Sequence, residues 1–173
     1  MTEGDCEKGL LDVLLERSLL KYDYDDLVYQ QVFHARQFDD RLVEMLIQLP
    51  ADEKVIVIRV GDKLSDALKN RREIQGKISG VWKVCIKPEF EILHLIHEGC
   101  FKAFIKEKSK KKASEFYEGV NPDYRKNYYK NLAYFSSLTN SDLVNLLKEY
   151  DQKRKGAHGS DELTPLALIR EGA

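Results

Sequence analysis

Hydrophobic and polar positions along this chain switch between two periods, and the switches mark its elements. Over residues 5–20, Leu10, Leu11, Val13, Leu14 and Leu15 recur at helical spacing behind an acidic first turn, which suits the helix dipole and predicts a helix. Residues 22–26 are a polar, acidic connector, and LVYQQVFHA at 27–35 is rich in Val, Tyr and Phe. That composition reads as a strand, with a helical continuation as the alternative. Leu42, Met45, Leu46 and Leu49 predict a helix over 38–49 that Pro50 ends. The β-branched run Val55, Ile56, Val57, Ile58 and Val60 follows. It is too continuous for a half-exposed strand and too short for a buried helix, so it predicts a central strand covered on both faces, closed by Gly61-Asp62.

A short polar helix is expected over 65–72, a linker to Gly80, and a second strand over 81–86 that Lys87-Pro88 breaks. From Glu89 the period becomes 3.6: Phe90, Leu93, Leu95, Ile96, Phe101, Phe104 and Ile105 predict a long amphipathic helix, bent near Gly99. A lysine run at 106–112 and a tyrosine-rich basic stretch at 117–134 come next. Thr139-Asn140-Ser141 then caps a last helix with Leu143, Val144, Leu146, Leu147 and Tyr150 facing a core. Residues 152–173, with Gly156, Gly159 and Pro165, read as a flexible tail whose Leu166, Leu168 and Ile169 can still dock. Alternating helices and strands imply an α/β fold, a small parallel sheet flanked by helices over 1–105, with an all-helical C-terminal extension over 106–151.

Composition adds limits rather than a function. At 173 residues the chain is long enough for one domain with a real core and a small appendage. Its 28 basic and 29 acidic residues nearly cancel, so a nucleic-acid partner has to be met by a local patch. Cys6, Cys85 and Cys100 have no metal-type spacing and fit free thiols in a reducing compartment, so a cytoplasmic protein is expected. No apolar run reaches the length of a membrane span, and residues 1–9 have no signal-peptide pattern.

Acidic residues at element ends are the candidate chemistry. An Asp just beyond a central parallel strand, as Asp62 is, stands where open α/β sheets place their sites, although a turn with a helix cap is the plainer reading of Gly61-Asp62 alone. TEGDCE before a helix, VIVIRVGD, and a further strand leading into KPEFEILHLIHEG together resemble the Toprim fold of topoisomerases, primases and small nucleases. The nearest branch is the nucleases of the overcoming-lysogenization-defect and abortive-infection kind. The resemblance covers residues 3–105 and implies metal-binding carboxylates at Glu3, Glu7, Asp62 and Glu91 (or Glu89, beside Pro88), with Asp66 assisting. It also implies Mg²⁺ or Mn²⁺ as the cofactor, and Glu3 and Asp62 as catalytic. The chain carries Asp62-Lys63-Leu64 where the family usually has Asp-x-Asp, and only Met1-Thr2 precede Glu3, too few for a full first strand. Several carboxylates are what Mg²⁺-assisted phosphodiester cleavage needs, because the ion takes oxygen ligands and keeps much of its water.

Lys87, beside the expected site, is a candidate phosphate contact or transition-state stabiliser. Lys106, Lys108, Lys110, Lys111 and Lys112, followed by Arg125, Lys126 and Lys130 among tyrosines, form a candidate surface for DNA or RNA. A solvated loop is the commoner meaning of such a lysine run. His94 and His97 lack a third ligand at matching spacing and read as partly buried helix residues, and Cys85 reads as core. Two functions follow: a Mg²⁺-dependent nuclease, in a phage-defence or mobile-element setting by resemblance, or a catalytically degraded Toprim-derived module that binds nucleic acid or a partner protein. An ordinary α/β subunit of a larger complex, or a homo-oligomer, stays open.

Overall fold

The computed structural model describes residues 1–34, 40–62 and 72–173, with the side chains of residues 40 and 41 left aside. Its described elements are α1 (Asp5–Glu16), α2 (Asp40–Ile47), β1 (Val55–Gly61), β2 (Ile78–Cys85), α3 (Ile92–His97), α4 (Phe101–Glu107), α5 (Ala113–Val120), α6 (Tyr128–Ser137), α7 (Asn140–Arg154) and β3 (Glu162–Leu163), with 3₁₀ turns between several of them. The fold is α/β, a small parallel sheet with flanking helices and a helical C-terminal region. No helix among the described residues is long and apolar enough to cross a membrane.

The sheet runs β1-β2-β3, with β1 parallel to β2 from Val55↔Ile78 to Gly61↔Cys85. On the other side of β1, Thr2 makes parallel bridges to both Val60 and His34. The Val60 N–H bonds to the Met1 carbonyl, the Glu3 N–H to the Val60 carbonyl, and the Thr2 N–H to the Phe33 carbonyl, each at 2.8 Å. Three residues thus do the work of a first strand, so the expected gap before Glu3 is closed by a single bridge position. The expected strand at 27–35 is corrected. The chain makes 3₁₀ turns at Tyr24–Asp26 and Val28–Gln30, with Tyr29 and Gln30 at positive φ, and among the described residues of that stretch Phe33 and His34 alone reach the sheet, through Thr2.

β1 is buried at its carboxyl half, through Val57, Arg59, Val60 and Gly61, whereas Ile56 is 48% exposed. Double-sided cover is therefore confined to the end that carries the site. The long helix expected after Glu89 is two helices, α3 and α4, parted at Gly99, whose φ of +72° is open to glycine at little cost. The expected short helix at 65–72 falls, but for Arg72, outside the described residues.

One apolar core joins α1, the ends of β1 and β2, and α3 through α7. α1 lies so close to α6 that a Cβ on Gly9 would stand 2.9 Å from the Leu132 backbone nitrogen. The Arg17 guanidinium fastens the end of α1 to the Leu138 and Ser136 carbonyls. The segment expected as a flexible tail is docked instead. Glu162–Leu163 pair with β2, Leu168 and Ile169 are buried in the core, and Arg170 bonds to the Leu20 carbonyl and to Asp23. The C-terminal helices and the docked tail are thus parts of the same core as the sheet, not an appendage to it.

Candidate carboxylate cleft and its basic groove

Each acidic side chain of interest leaves the backbone where an element begins or ends. Asp62 follows β1 directly, and the Thr2 bridge brings Glu3 to the same carboxyl end of the sheet. Glu3 then folds back so that its Oε2 accepts the Asp62 backbone N–H at 2.9 Å. Glu7 lies in the first turn of α1, close against Gly4, where a Cβ would sit 3.0 Å from Glu7 Oε2 and press on that carboxylate. Glu91 is the residue ahead of α3. These four meet with Asp5 and Glu89 in one cleft of about 550 Å³, whose other charged or titratable lining groups are Lys126, His34 and Cys6.

The charge density of the cleft shows in Glu7. Burial, reinforced by the negative charges of Glu3, Asp62 and Glu91, pushes its carboxyl up to about 7. Glu91 is wholly buried. Its Oε1 accepts the Tyr124 hydroxyl at 2.8 Å and the Lys126 ammonium at 3.0 Å, while its Oε2, equally buried, has no hydrogen-bond partner. Burial raises the Cys6 thiol to about 12, so it stays protonated and is no nucleophile at neutral pH. His34 bridges Asp5 at 3.3 Å across the rim.

A polar chain runs from the cleft floor inward. Tyr124 lies 3.9 Å from the Cys6 thiol, the Asn131 amide donates to that sulfur at 3.2 Å, and His94 Nε2 donates to Asn131 Oδ1 at 2.9 Å. His94 is fully buried, stacked on Tyr117 and edged by Phe90, Tyr124, Tyr134 and Phe135. Burial depresses it to about 4, so it is neutral, deeper than the partly buried position expected for it. Tyr117, Tyr124 and Tyr134 are thereby packing residues around His94 rather than platforms for bases. Tyr129, 77% exposed, is the tyrosine of that stretch open to solvent.

The lysine run lies beside this site. A groove of about 630 Å³ is lined by Lys108, Lys110, Lys111, Lys112 and Arg154, and it shares Asp62 and Glu89 with the carboxylate cleft. Lys111 also pairs with Glu107. Of the other expected basic contacts, Lys126 is in the cleft. Lys106 and Lys130 are exposed outside both hollows, and Arg125 is spent on the carbonyls of Pro122 and Tyr124. Lys87 is corrected: its ammonium is held by both oxygens of Glu162, at 2.7 and 2.6 Å, and it lines neither hollow. Asp66 lies outside the described residues.

Sequence reasoning missed Arg154, set in the expected tail, and His34, set in an expected strand; neither carries a local signal of its place. A hard divalent cation fits the donor type here, all carboxylate oxygens, one of them buried without a partner. Among the described residues, however, no three acidic, histidine or cysteine side chains already stand at metal-holding distance; Glu3 accepts the Asp62 N–H and Glu91 the Lys126 ammonium. Comparison of the chain with family models, with characterised proteins and with solved structures gives no match.

Proposed function

We propose that the protein is a metal-dependent nuclease that hydrolyses phosphodiester bonds of DNA or RNA with Mg²⁺ or Mn²⁺. The observation that carries this reading is the convergence of Glu3, Glu7, Asp62 and Glu91 in one cleft at the carboxyl end of a parallel sheet, continuous with a lysine-lined groove. Acids alone repel a polyanion and a basic groove alone only binds one, whereas the two side by side suit a bound strand whose phosphate meets a cation-loaded centre. The resemblance to Toprim nucleases agrees with this, since the Thr2 bridge gives Glu3 the strand-end position that the resemblance asks for.

A bound divalent cation would polarise the phosphate and lower the pKa of an attacking water. Glu3, Asp62 and Glu91, with Glu7, are the residues to hold it. Glu7, raised to about 7, exchanges a proton on its carboxyl near neutral pH in the free protein. Lys108, Lys110 and Lys112 orient the strand. The three free cysteines fit a cytoplasmic setting, and a role in phage defence or a mobile element rests on the resemblance alone.

The absence, among the described residues, of three acids at metal-holding distance favours a second reading: a catalytically degraded module of the same origin that binds nucleic acid or a protein partner. One assay separates the two. Single-stranded and duplex DNA and RNA are incubated with Mg²⁺ or Mn²⁺ and either wild type or Asp62→Ala, a substitution that keeps the backbone N–H bonded to Glu3. Metal-dependent cleavage that Asp62→Ala lowers by roughly a hundredfold or more supports the nuclease. A folded wild type that binds nucleic acid in a salt-sensitive way and cuts nothing supports the module.

A further inference from the structure

The geometry points to Lys126 as a built-in stand-in cation that occupies Glu91 in the free protein and is displaced when a divalent metal ion enters the cleft. This inference rests on the metal-dependent reading above and adds a control on how that site loads.

Glu91 is the least exposed carboxylate of the cleft, with no accessible surface, and an isolated buried charge is strongly disfavoured. The Lys126 ammonium, 3.0 Å from Oε1, supplies the countercharge, and the Tyr124 hydroxyl completes that oxygen. The backbone that places Lys126 is fixed on both sides. Tyr124 is anchored beneath it on Glu91, Arg125 is tied to the Pro122 and Tyr124 carbonyls, and Asn127 caps α6 by accepting the Lys130 N–H. The side chain itself is 48% exposed, so its head has open water to move into once another cation takes over Glu91. Glu91 has no such freedom.

Only half of the carboxylate is used. Oε2 is buried without a partner, so the monovalent ammonium leaves Glu91 under-coordinated, and Glu3, Glu7 and Asp62 add negative charge to the same cleft. Against one carboxylate at equal distance a divalent ion gains twice the Coulomb energy of an ammonium, and the other acids of the cleft add to that preference for the higher charge. Lys126 therefore holds the empty cleft together and yields to the metal. Metal affinity is set by that competition rather than by the acids alone.

The test is calorimetric titration of the full chain with Mn²⁺ alone, without nucleic acid, for wild type, Lys126→Met and Lys126→Arg. Removing a competing charge beside the site tightens Mn²⁺ binding by about tenfold in Lys126→Met. Lys126→Arg, whose planar fork can engage both oxygens of Glu91, weakens binding several-fold. Lys126→Met also melts at a lower temperature than wild type without metal and recovers that loss at saturating Mn²⁺. A merely structural lysine gives lower melting temperatures with no opposed change in affinity. Equal or weaker Mn²⁺ binding by a folded Lys126→Met, or tighter binding by Lys126→Arg, overturns the inference while leaving the metal site standing. If Lys126→Met does not fold, Lys126→Arg decides by the same sign. A wild type that binds no Mn²⁺ removes the metal-dependent reading itself, and the inference with it.

Discussion

Two buried titratable side chains, Glu7 in the cleft and His94 three residues after Glu91, set opposite demands on the folded state. His94, held neutral with a value of about 4 against an ordinary 6.5, is a group that the unfolded chain protonates first. Its contribution to stability is fully present above 6.5 and is lost as pH falls toward 4. Glu7, raised to about 7 from 4.5, keeps a proton that the unfolded chain has given up, so its contribution is full below 4.5 and is lost as pH rises through 7. The two slopes oppose each other between 4.5 and 6.5. In Glu7→Gln only the His94 slope remains of the pair, and unfolding free energy should rise with pH relative to wild type, by at most about 1.4 kcal/mol per unit. Urea unfolding at pH 4.5, 5.5 and 6.5 checks this, and an unchanged difference between the two proteins across that range would contradict it. Burial of His94 was half legible in the sequence: its helical position faces the core, but the cage of Tyr117, Tyr124, Tyr134 and Phe135 comes from residues far along the chain.

Elements with strong local patterning formed where the pattern put them. α1 and α7 follow their leucine periodicity, the second with Thr139 and Asp142 as a reciprocal cap, and β1 follows its β-branched run. The described part of the expected strand, residues 27–34, went the other way. Its Val, Tyr and Phe suit a strand, but Asp23 and Asp26 close a 3₁₀ turn, and Gln30 reaches back to Asp25, so local hydrogen bonds captured the backbone before a ladder did. The loop from α4 to α5 carries the testable claim at this scale. Reversing the charges of Lys108, Lys110 and Lys112 together should weaken nucleic-acid binding at all sequences, and should reduce the slope of log affinity against log salt by about two to three. The same reversal of Lys106, Arg125 and Lys130, outside the groove, should cost far less. Filter binding from 50 to 300 mM salt, a range of about the usual breadth, measures both.

At the scale of the molecule, the C-terminal segment closes the structure rather than trailing from it. Glu162–Leu163 extend the sheet, Lys87 and Lys83 pair with Glu162 and Asp161, and Leu168 and Ile169 enter the core beside Leu20. Truncation after residue 160 should therefore lower unfolding free energy by about 3–6 kcal/mol, the worth of two buried aliphatic side chains, before the lost ion pairs are counted. Urea denaturation of the truncated and full chains measures it, and equal midpoints would show the segment to be dispensable.

The sequence by itself determined what depends on neighbours in the chain: the helical faces, the β-branched strand, the break at Gly99, and the placing of Glu3, Glu7, Asp62 and Glu91 at element ends. These follow from periodicity, steric preference and the helix dipole, which act over a few residues. The tertiary structure alone decided which of those ends meet. Three residues at the start serve as a strand only because Val60 and Phe33 offer them backbone partners. Lys126 faces Glu91 from 35 positions along the chain, Arg154 joins the lysine groove, and Lys87 is taken out of the site by Glu162. Ion pairs of this kind have no sequence period, because the distance that sets their energy is fixed by packing of the core and not by spacing along the chain.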